Sequence, residues 1–487
     1  TYHWMMNGSI PTYLSSVSVA NYICISETLN GLLGEIPAKV FVLQKDSINA
    51  VDGFKDLSKW LTCFESLFGP YLWEKIGFVS VPFNSGAMEH ATMISIPEYS
   101  LKEPGNFQDL FIHEFAHNWF GNLVTCASSA DMWFNEGWAS YCEALYYEYY
   151  FGQIAFREYM RKNHLKTLKY AHIQDEAYRA LYNTPAEYTY GSTIYDKGAD
   201  VAHTLRNYIG DEKFFFAMKA MFSEYAFHHI STSEFQSFLE REVEQDLDDF
   251  FNFWVKSPGF PHFSIDSFSV YTAVSGYKVK VFFRQKLLGT TEYSYSNHAE
   301  LMFINSSGNS YSEVIELSGP HDSQEFYISF KPELIILDPY EKIADATLDE
   351  IITIREAGNY SFEESSFSMK VNSLSDSVFF RVTRNLVLPD STGHIFLLDP
   401  SGYWTIEALL NKGFKAEARF LYEKSKGNES LRSNFYERKV TDLDLLFRKG
   451  PGDHWEDIPS TVVKGNNQIK VVSSMLKNGQ YCLGFKK

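Results

Sequence analysis

Five consecutive residues, His113-Glu114-Phe115-Ala116-His117, bring together side chains that could do chemistry. On a helix, residues four apart share a face and are separated by about one turn of rise. Both imidazoles can then reach one tetrahedral zinc ion at about 2.0–2.1 Å. Glu114 sits roughly a third of a turn round from His113, where it can touch an attacking water without ligating the metal, as a general base must. Such a centre needs a third protein ligand and an open fourth position. Glu136, separated from His117 by 18 intervening residues, lies in Trp133-Phe134-Asn135-Glu136-Gly137-Trp138-Ala139. Two antiparallel helices joined by a loop would return it beside the histidine pair. A lone glutamate there would equally suit a helix start, where the macrodipole favours an acid. Its distance from the histidine pair is what recommends it as the third ligand. Two neutral histidines and one carboxylate leave a zinc site near +1, enough to bring the pKa of a bound water down to roughly 7. The predicted chemistry is hydrolysis assisted by one zinc ion per chain.

The elements that must position these residues can be read from periodicity. Residues 1 to about 45 read as strands, since TYLSSVSVANYICIS and PAKVFVLQ alternate and are rich in β-branched and aromatic residues. From about 52 to 260 the pattern is mainly helical. FQDLFIHEFAHNWFG carries apolar side chains at Phe107, Leu110, Phe111, Phe115 and Trp119, close to helical spacing. Asn106, with Asp109 three residues on, predicts an N-cap and an acidic first turn. Residues 135–150 predict a second helix, and Ser231-Thr232-Ser233-Glu234 a capping box before another. After SPGFPHF the period changes to two, in HFSIDSFSVYTAV, GYKVKVFFRQ and EFYISFKPELIIL, with turns at SGPHD, NSSGNS and LPDSTG. This predicts two successive β-sandwiches meeting near residue 355.

HEFAHNWFGNLVT followed by MWFNEGWASY strongly resembles the zinc aminopeptidases of the membrane alanyl aminopeptidase and leukotriene hydrolase type, which are gluzincin metallopeptidases. Two further stretches agree in order and spacing. Gly86-Ala87-Met88-Glu89-His90 is similar to the family's GAMEN or GGMEN segment. The resemblance implies that Gly86, Ala87 and Met88 form an edge strand that pairs with a bound peptide, and that Glu89 grips the peptide's free α-amino group. The physics agrees, since a strand edge offers backbone hydrogen bonds and a carboxylate counters an ammonium. His90 departs from the pattern, standing where the family has Asn. Tyr190-Gly191-Ser192-Thr193-Ile194-Tyr195-Asp196-Lys197-Gly198 is similar to the family's Tyr-x-Lys-Gly segment. It implies a catalytic phenol at Tyr195, donating to the developing oxyanion, and a substrate contact at Tyr190. DLDDFFNFWVKSPGFP is a family-like end to the catalytic domain, so the resemblance covers about the first 265 residues.

The expected fold is therefore multidomain α+β. Residues 1–48 are expected to be the end of an N-terminal β-domain, and 49–260 a mainly helical, thermolysin-like zinc peptidase domain. Two β-sandwiches are expected at 261–354 and 355–487. The expected reaction is hydrolysis of the N-terminal peptide bond of peptides with a free N-terminus. The nearest alternative is a thermolysin-like endopeptidase with the same zinc site, which Glu89 argues against. A more distant one is an inactive peptidase fold that only binds.

Composition sets the outer limits. Hydrophobic residues make up 45 % and charged residues 21 %, which provides for large cores. The net charge of −18 repels phosphate backbones and excludes nucleic acid as a partner class. No run of 18 apolar residues is present, so no integral membrane helix is expected. The five cysteines form no CxxC pair, and Asn-x-Ser sites stand at Asn7, Asn305, Asn359 and Asn428. The side chains of the tandem His228-His229 diverge, which argues against a joint metal site. Extra β-sandwiches on a chain that begins at Thr1 point towards an exported bacterial enzyme.

Overall fold

The computed structural model describes residues 6–390, 395–422, 433–465 and 468–487. The first five residues of the expected strand region, residues 391–393 of the LPDSTG turn and Asn428 lie outside these. The chain divides into two compact units. One is the chain up to Asn163 with Arg179–Lys256, and the other is His164–Tyr178 with Ser257–Lys487.

The first unit is built on a sheet of order β1-β2-β3-β4, comprising β1 (Tyr22–Gly31), β2 (Gly34–Leu43), β3 (Ile76–Val81) and β4 (Ile94–Pro97). β1 and β2 form an antiparallel hairpin, while β3 joins β2 and β4 in parallel, with Ala38 opposite Ile76 and Phe78 opposite Ile94. This corrects two expectations. Residues before Tyr22 are not strand, and Thr12–Leu14 make a single 3₁₀ turn. The hairpin at 22–43 is not the remnant of a separate β-domain, because its backbone ladder continues into β3 and β4. Burial alternates along β2, whereas β3 and β4 are buried at every position. That is the pattern of inner strands covered on both faces.

Helices α1 (Ser47–Gly53), α2 (Leu57–Phe68), α3 (Gln108–Ala116) and α4 (Trp133–Lys166) complete the surroundings of the site. α2 is amphipathic, and its Trp60, Phe64 and Phe68 are buried. Phe64 stacks on Phe115 at 6.1 Å and meets Trp119 edge-on at 5.8 Å. Phe54 stacks on Phe111 at 5.0 Å. Each such aromatic burial contributes about 1.5–3 kcal/mol. Together they hold α3, in which every residue from Phe111 to Ala116 is buried. The expected N-cap at Asn106 does not form. Asn106 lies in a 3₁₀ turn over Pro104–Phe107 and donates to Glu103, and α3 begins without a side-chain cap. Gly152, at φ 82°, breaks α4 just beyond the expected 135–150 segment. The capping box at Ser231 and Glu234 is present. His228 and His229 lie on a short strand parallel to Val124–Cys126, both exposed, and belong to no candidate metal group among the described residues.

The second unit contains the strands Phe260–Thr272, Tyr277–Leu288 and His321–Ile328 in one three-stranded sheet. The strands Asn297–Ile304, Ser310–Leu317 and Leu334–Leu337 form another. A seven-stranded and a five-stranded sheet follow, with Phe367, Phe380, Trp404, Phe420 and Tyr481 in their common core. The strand Thr347–Ile354, expected to close the first sandwich, instead pairs antiparallel with Val378–Asn385 in the seven-stranded sheet. His164–Tyr178, expected in the catalytic domain, clusters with the β-rich unit, where Leu168 is buried beside Phe260 and Tyr403. Among the described residues no helix is long and apolar enough to cross a membrane.

Candidate active site

α3 presents His113 and His117 on one face, and the first turn of α4 presents Glu136. The Nε2 atoms of the two imidazoles lie 3.1 Å apart, and each is 3.4 Å from Glu136 Oε2. Bonds of 2.0–2.1 Å around a tetrahedral zinc ion would space its ligands by about 3.3 Å. The triangle of two nitrogens and one carboxylate oxygen therefore fits zinc in both spacing and donor chemistry. The other ring nitrogens are committed. His113 Nδ1 donates to Glu143 Oε1 at 2.9 Å, and His117 Nδ1 donates to the Phe120 carbonyl at 2.8 Å. Since carboxylate and carbonyl can only accept, each Nδ1 carries a proton, and Nε2 is the nitrogen left to ligate a metal.

Local backbone geometry makes this possible. α3 ends at Ala116, and the chain turns back through Gly121 at φ 112°. A Cβ on Gly121 would stand 3.0 Å from His117 Nδ1, so only glycine lets the Phe120 carbonyl reach that nitrogen. Asn135 Oδ1 accepts from the Cys126 amide at 2.9 Å and ties the loop to the start of α4.

Glu114 is 5 % exposed, and its Oε2 has no hydrogen-bond partner. Burial pushes its carboxyl up to about 8, against the pull of His117 and His113. Burial opposes charge on His113, but hydrogen bonds to Glu136 and Glu143 overcome it and hold the imidazole well above its usual value. His117 is raised to about 9, because Glu89 and Glu136 outweigh its burial. Glu136 is driven well below the usual carboxylate range, as the two histidines overcome its burial.

Tyr195 stacks on His113 at 5.8 Å, and its hydroxyl is hydrogen-bonded to Glu136. Burial and the neighbouring carboxylates raise the phenol far above its ordinary value, so it is a neutral donor. The turn Thr193–Lys197 that carries it is held against α4 at a glycine pair. A Cβ on Gly137 would fall 2.7 Å from Gly198 Cα and 2.9 Å from the Ile194 carbonyl. Tyr190 is 70 % exposed but within the field of Glu136 and Glu89.

Glu89 is 6 % exposed, and its ligand atoms lie within 4.8 Å of those of Glu114 and His117. Met88 spends both its amide and its carbonyl on Ser95, at 2.9 and 2.8 Å. Pairing to a peptide would use the opposite edge, at Ala87 and Glu89. Gly86, at φ 65°, opens that edge to solvent. His90 Nδ1 lies 2.9 Å from Ser95 Oγ and burial lowers its pKa, so it supports the strand rather than joining the triangle.

Two contributors escaped the sequence reading. Glu143 lies seven residues after Glu136, two turns along the same face of α4, and that spacing was a usable signal. Tyr13, whose hydroxyl lies 3.4 Å from Thr125 Oγ1 and accepts from Asn135 Nδ2 at 3.4 Å, offered none.

The family model described as the Peptidase family M1 domain matches residues 54–254. Aminopeptidase B of Rattus norvegicus is 26 % identical over 293 residues, covering 54 % of this chain and 43 % of that protein. Aminopeptidase M1-B of Oryza sativa subsp. japonica is 32 % identical over 220 residues, covering 42 % of this chain and 25 % of that protein. The chain thus spans less than half the length of these curated relatives. Among solved structures, Legionella pneumophila aminopeptidase A in complex with aspartic acid shares the fold. Its TM-score is 0.56 at 17 % identity, covering 67 % of this chain and 38 % of that one. The segment that matches the Peptidase family M1 domain, residues 54–254, holds the zinc-fitting triangle, Glu114, Glu89 and Tyr195.

Proposed function

We propose that the chain is a zinc-dependent aminopeptidase that removes residues from peptides with a free N-terminus. The observation that carries this is the His113–His117–Glu136 triangle with Glu114 and Glu89 buried beside it. The triangle would hold one zinc ion, which when bound would supply Lewis-acid polarisation of the scissile carbonyl and of the attacking water. The chain's own residues do the rest. Glu89 holds the substrate ammonium as an ion pair in a site that is 6 % exposed. The edge at Ala87 aligns the peptide backbone. Glu114 takes the water's proton and returns it to the leaving amine. Tyr195 turns its hydroxyl from Glu136 to the developing oxyanion. Because Glu89 closes one end of this arrangement, cleavage is counted from the N-terminus.

An aminoacyl anilide and its N-acetylated counterpart test the reading. The free amine should be hydrolysed and the acetylated one should not, and a chelator should abolish the activity. Equal hydrolysis of both would overturn the role of Glu89 and favour the endopeptidase reading.

A further inference from the structure

α4 does more than present Glu136. Gly152, at φ 82° and ψ −178°, stands in a backbone region that only glycine adopts readily, and the helix turns there. The turn brings its far half back beside its first half. Tyr159 stacks on Tyr147 at 5.0 Å, and its hydroxyl donates to Glu143 Oε2, 16 residues earlier. In an unbroken helix that many residues would span about 24 Å, so this bond exists only because the chain turns at Gly152. Glu143 Oε1 accepts from His113 Nδ1. A carboxylate held by one oxygen can still swing about its own bond, whereas one held by both fixes the ring it supports. One turn beyond Tyr159, Asn163 is 7 % exposed. Its Nδ2 donates to the Asp196 carbonyl at 2.7 Å and to Asp200 Oδ1 at 2.8 Å. Asp196 directly follows Tyr195 in the turn that carries the phenol.

We infer that the half of α4 beyond Gly152 is a brace for both sides of the site: Tyr159 positions the ligand His113 through Glu143, and Asn163 positions the oxyanion donor Tyr195 through the Asp196 carbonyl. The inference rests on the proposed aminopeptidase reading. Tyr159 and Asn163 lie four residues apart, on one face of the same helix. One segment therefore supports both the His113 ring and the Tyr195 phenol, which stack at 5.8 Å. Each of the two acts through another residue, so their effects separate. Tyr159 governs the hold on metal, and Asn163 governs turnover.

Zinc titration of the metal-free full chain, in competition with a chromophoric chelator, tests the first contact. Tyr159→Phe removes one hydroxyl and keeps the ring that stacks on Tyr147. It should weaken zinc binding about tenfold, the lower end of the effect of an outer partner of a metal ligand. The cobalt-loaded variant should also show a shifted visible band, which a loss of stability alone would not produce. Hydrolysis of an aminoacyl anilide tests the second contact. Asn163→Ala should hold zinc as tightly as the natural chain, keep KM, and lose kcat by up to roughly 10². In a Tyr195→Phe background the same change should cost nothing further, because the group it positions is already gone. Asn163→Gln, which keeps an amide for the same acceptors, should recover part of the loss. Zinc affinity left unchanged by Tyr159→Phe would overturn the inference. So would an equal loss of kcat from Asn163→Ala with and without Tyr195→Phe. Should neither Asn163 variant fold, Tyr159→Phe alone decides. A natural chain that binds no zinc would instead overturn the proposed function.

Discussion

Replacing Glu114 with Gln keeps the shape of the buried side chain but removes its capacity to accept a proton. Its Oε2 makes no hydrogen bond that the amide would disturb, so Glu114→Gln should fold and retain metal. kcat should fall by roughly 10²–10⁴, the usual contribution of a positioned general base. A variant with full activity would remove Glu114 from the mechanism. A second expectation concerns protons on the ligands. His117 is raised to about 9 and His113 is also raised, so in the metal-free chain at pH 7 both imidazoles are protonated. They must lose those protons to ligate. Zinc uptake should release protons at pH 7, and affinity should climb as pH rises through about 9, where His117 loses its proton. Zinc calorimetry in two buffers of different ionisation enthalpy measures the release. Heats that do not depend on the buffer would contradict it.

At the scale of elements, the site depends on how closely α4 approaches the turn carrying Tyr195. Gly198→Ala puts a Cβ 2.7 Å from Gly137 Cα, and both sides of that contact are backbone. The elements must separate, at a cost of about 1–3 kcal/mol for overpacking. Tyr195 should then move away from Glu136, so that kcat falls towards that of Tyr195→Phe while zinc content stays at one ion. Equal losses of kcat and metal would show that the glycine pair supports the triangle instead. This contact also marks the limit of what the sequence disclosed. His113, His117 and Glu136 were legible because ligand chemistry imposes spacing along a helix. The glycine pair was not, because Gly137 and Gly198 are 61 positions apart and glycine has no side chain to register in a pattern. Thr347–Ile354 fell inside the expected 261–354 sandwich, yet it belongs to another sheet, since pairing with Val378–Asn385 is a long-range choice. Tyr22–Leu43 was read as strand but assigned to the end of a separate β-domain, because parallel pairing with β3 leaves no local trace.

At the scale of the whole chain, the β-rich unit carries an electrostatic burden of its own. Asp338, Asp345, Asp349 and Glu407 line one cavity with Arg381. Burial raises Asp338 to about 7, against two backbone N–H bonds from Lys342 and Ile343, and raises Asp345 to about 6. An acid whose folded pKa lies above its unfolded value stays neutral in the fold after it would have ionised in the open chain. Its stabilising contribution is complete below about 4, the unfolded value, and is lost as pH rises through the folded one. For Asp345 that loss amounts to about 3 kcal/mol between pH 4 and 6. Asp345→Asn isolates the effect. The amide oxygen can still accept from the Phe263 amide, and its NH₂ can donate to Thr347, whose hydroxyl is free to rotate. Near pH 4 the variant should match the natural chain. By about pH 6.5 it should be the more stable by about 3 kcal/mol, read by urea unfolding of the full chain at each pH. A difference that stays constant across this window would mean that the buried carboxyl ionises in the fold as readily as in the open chain. The strain assigned to this cavity would then be absent.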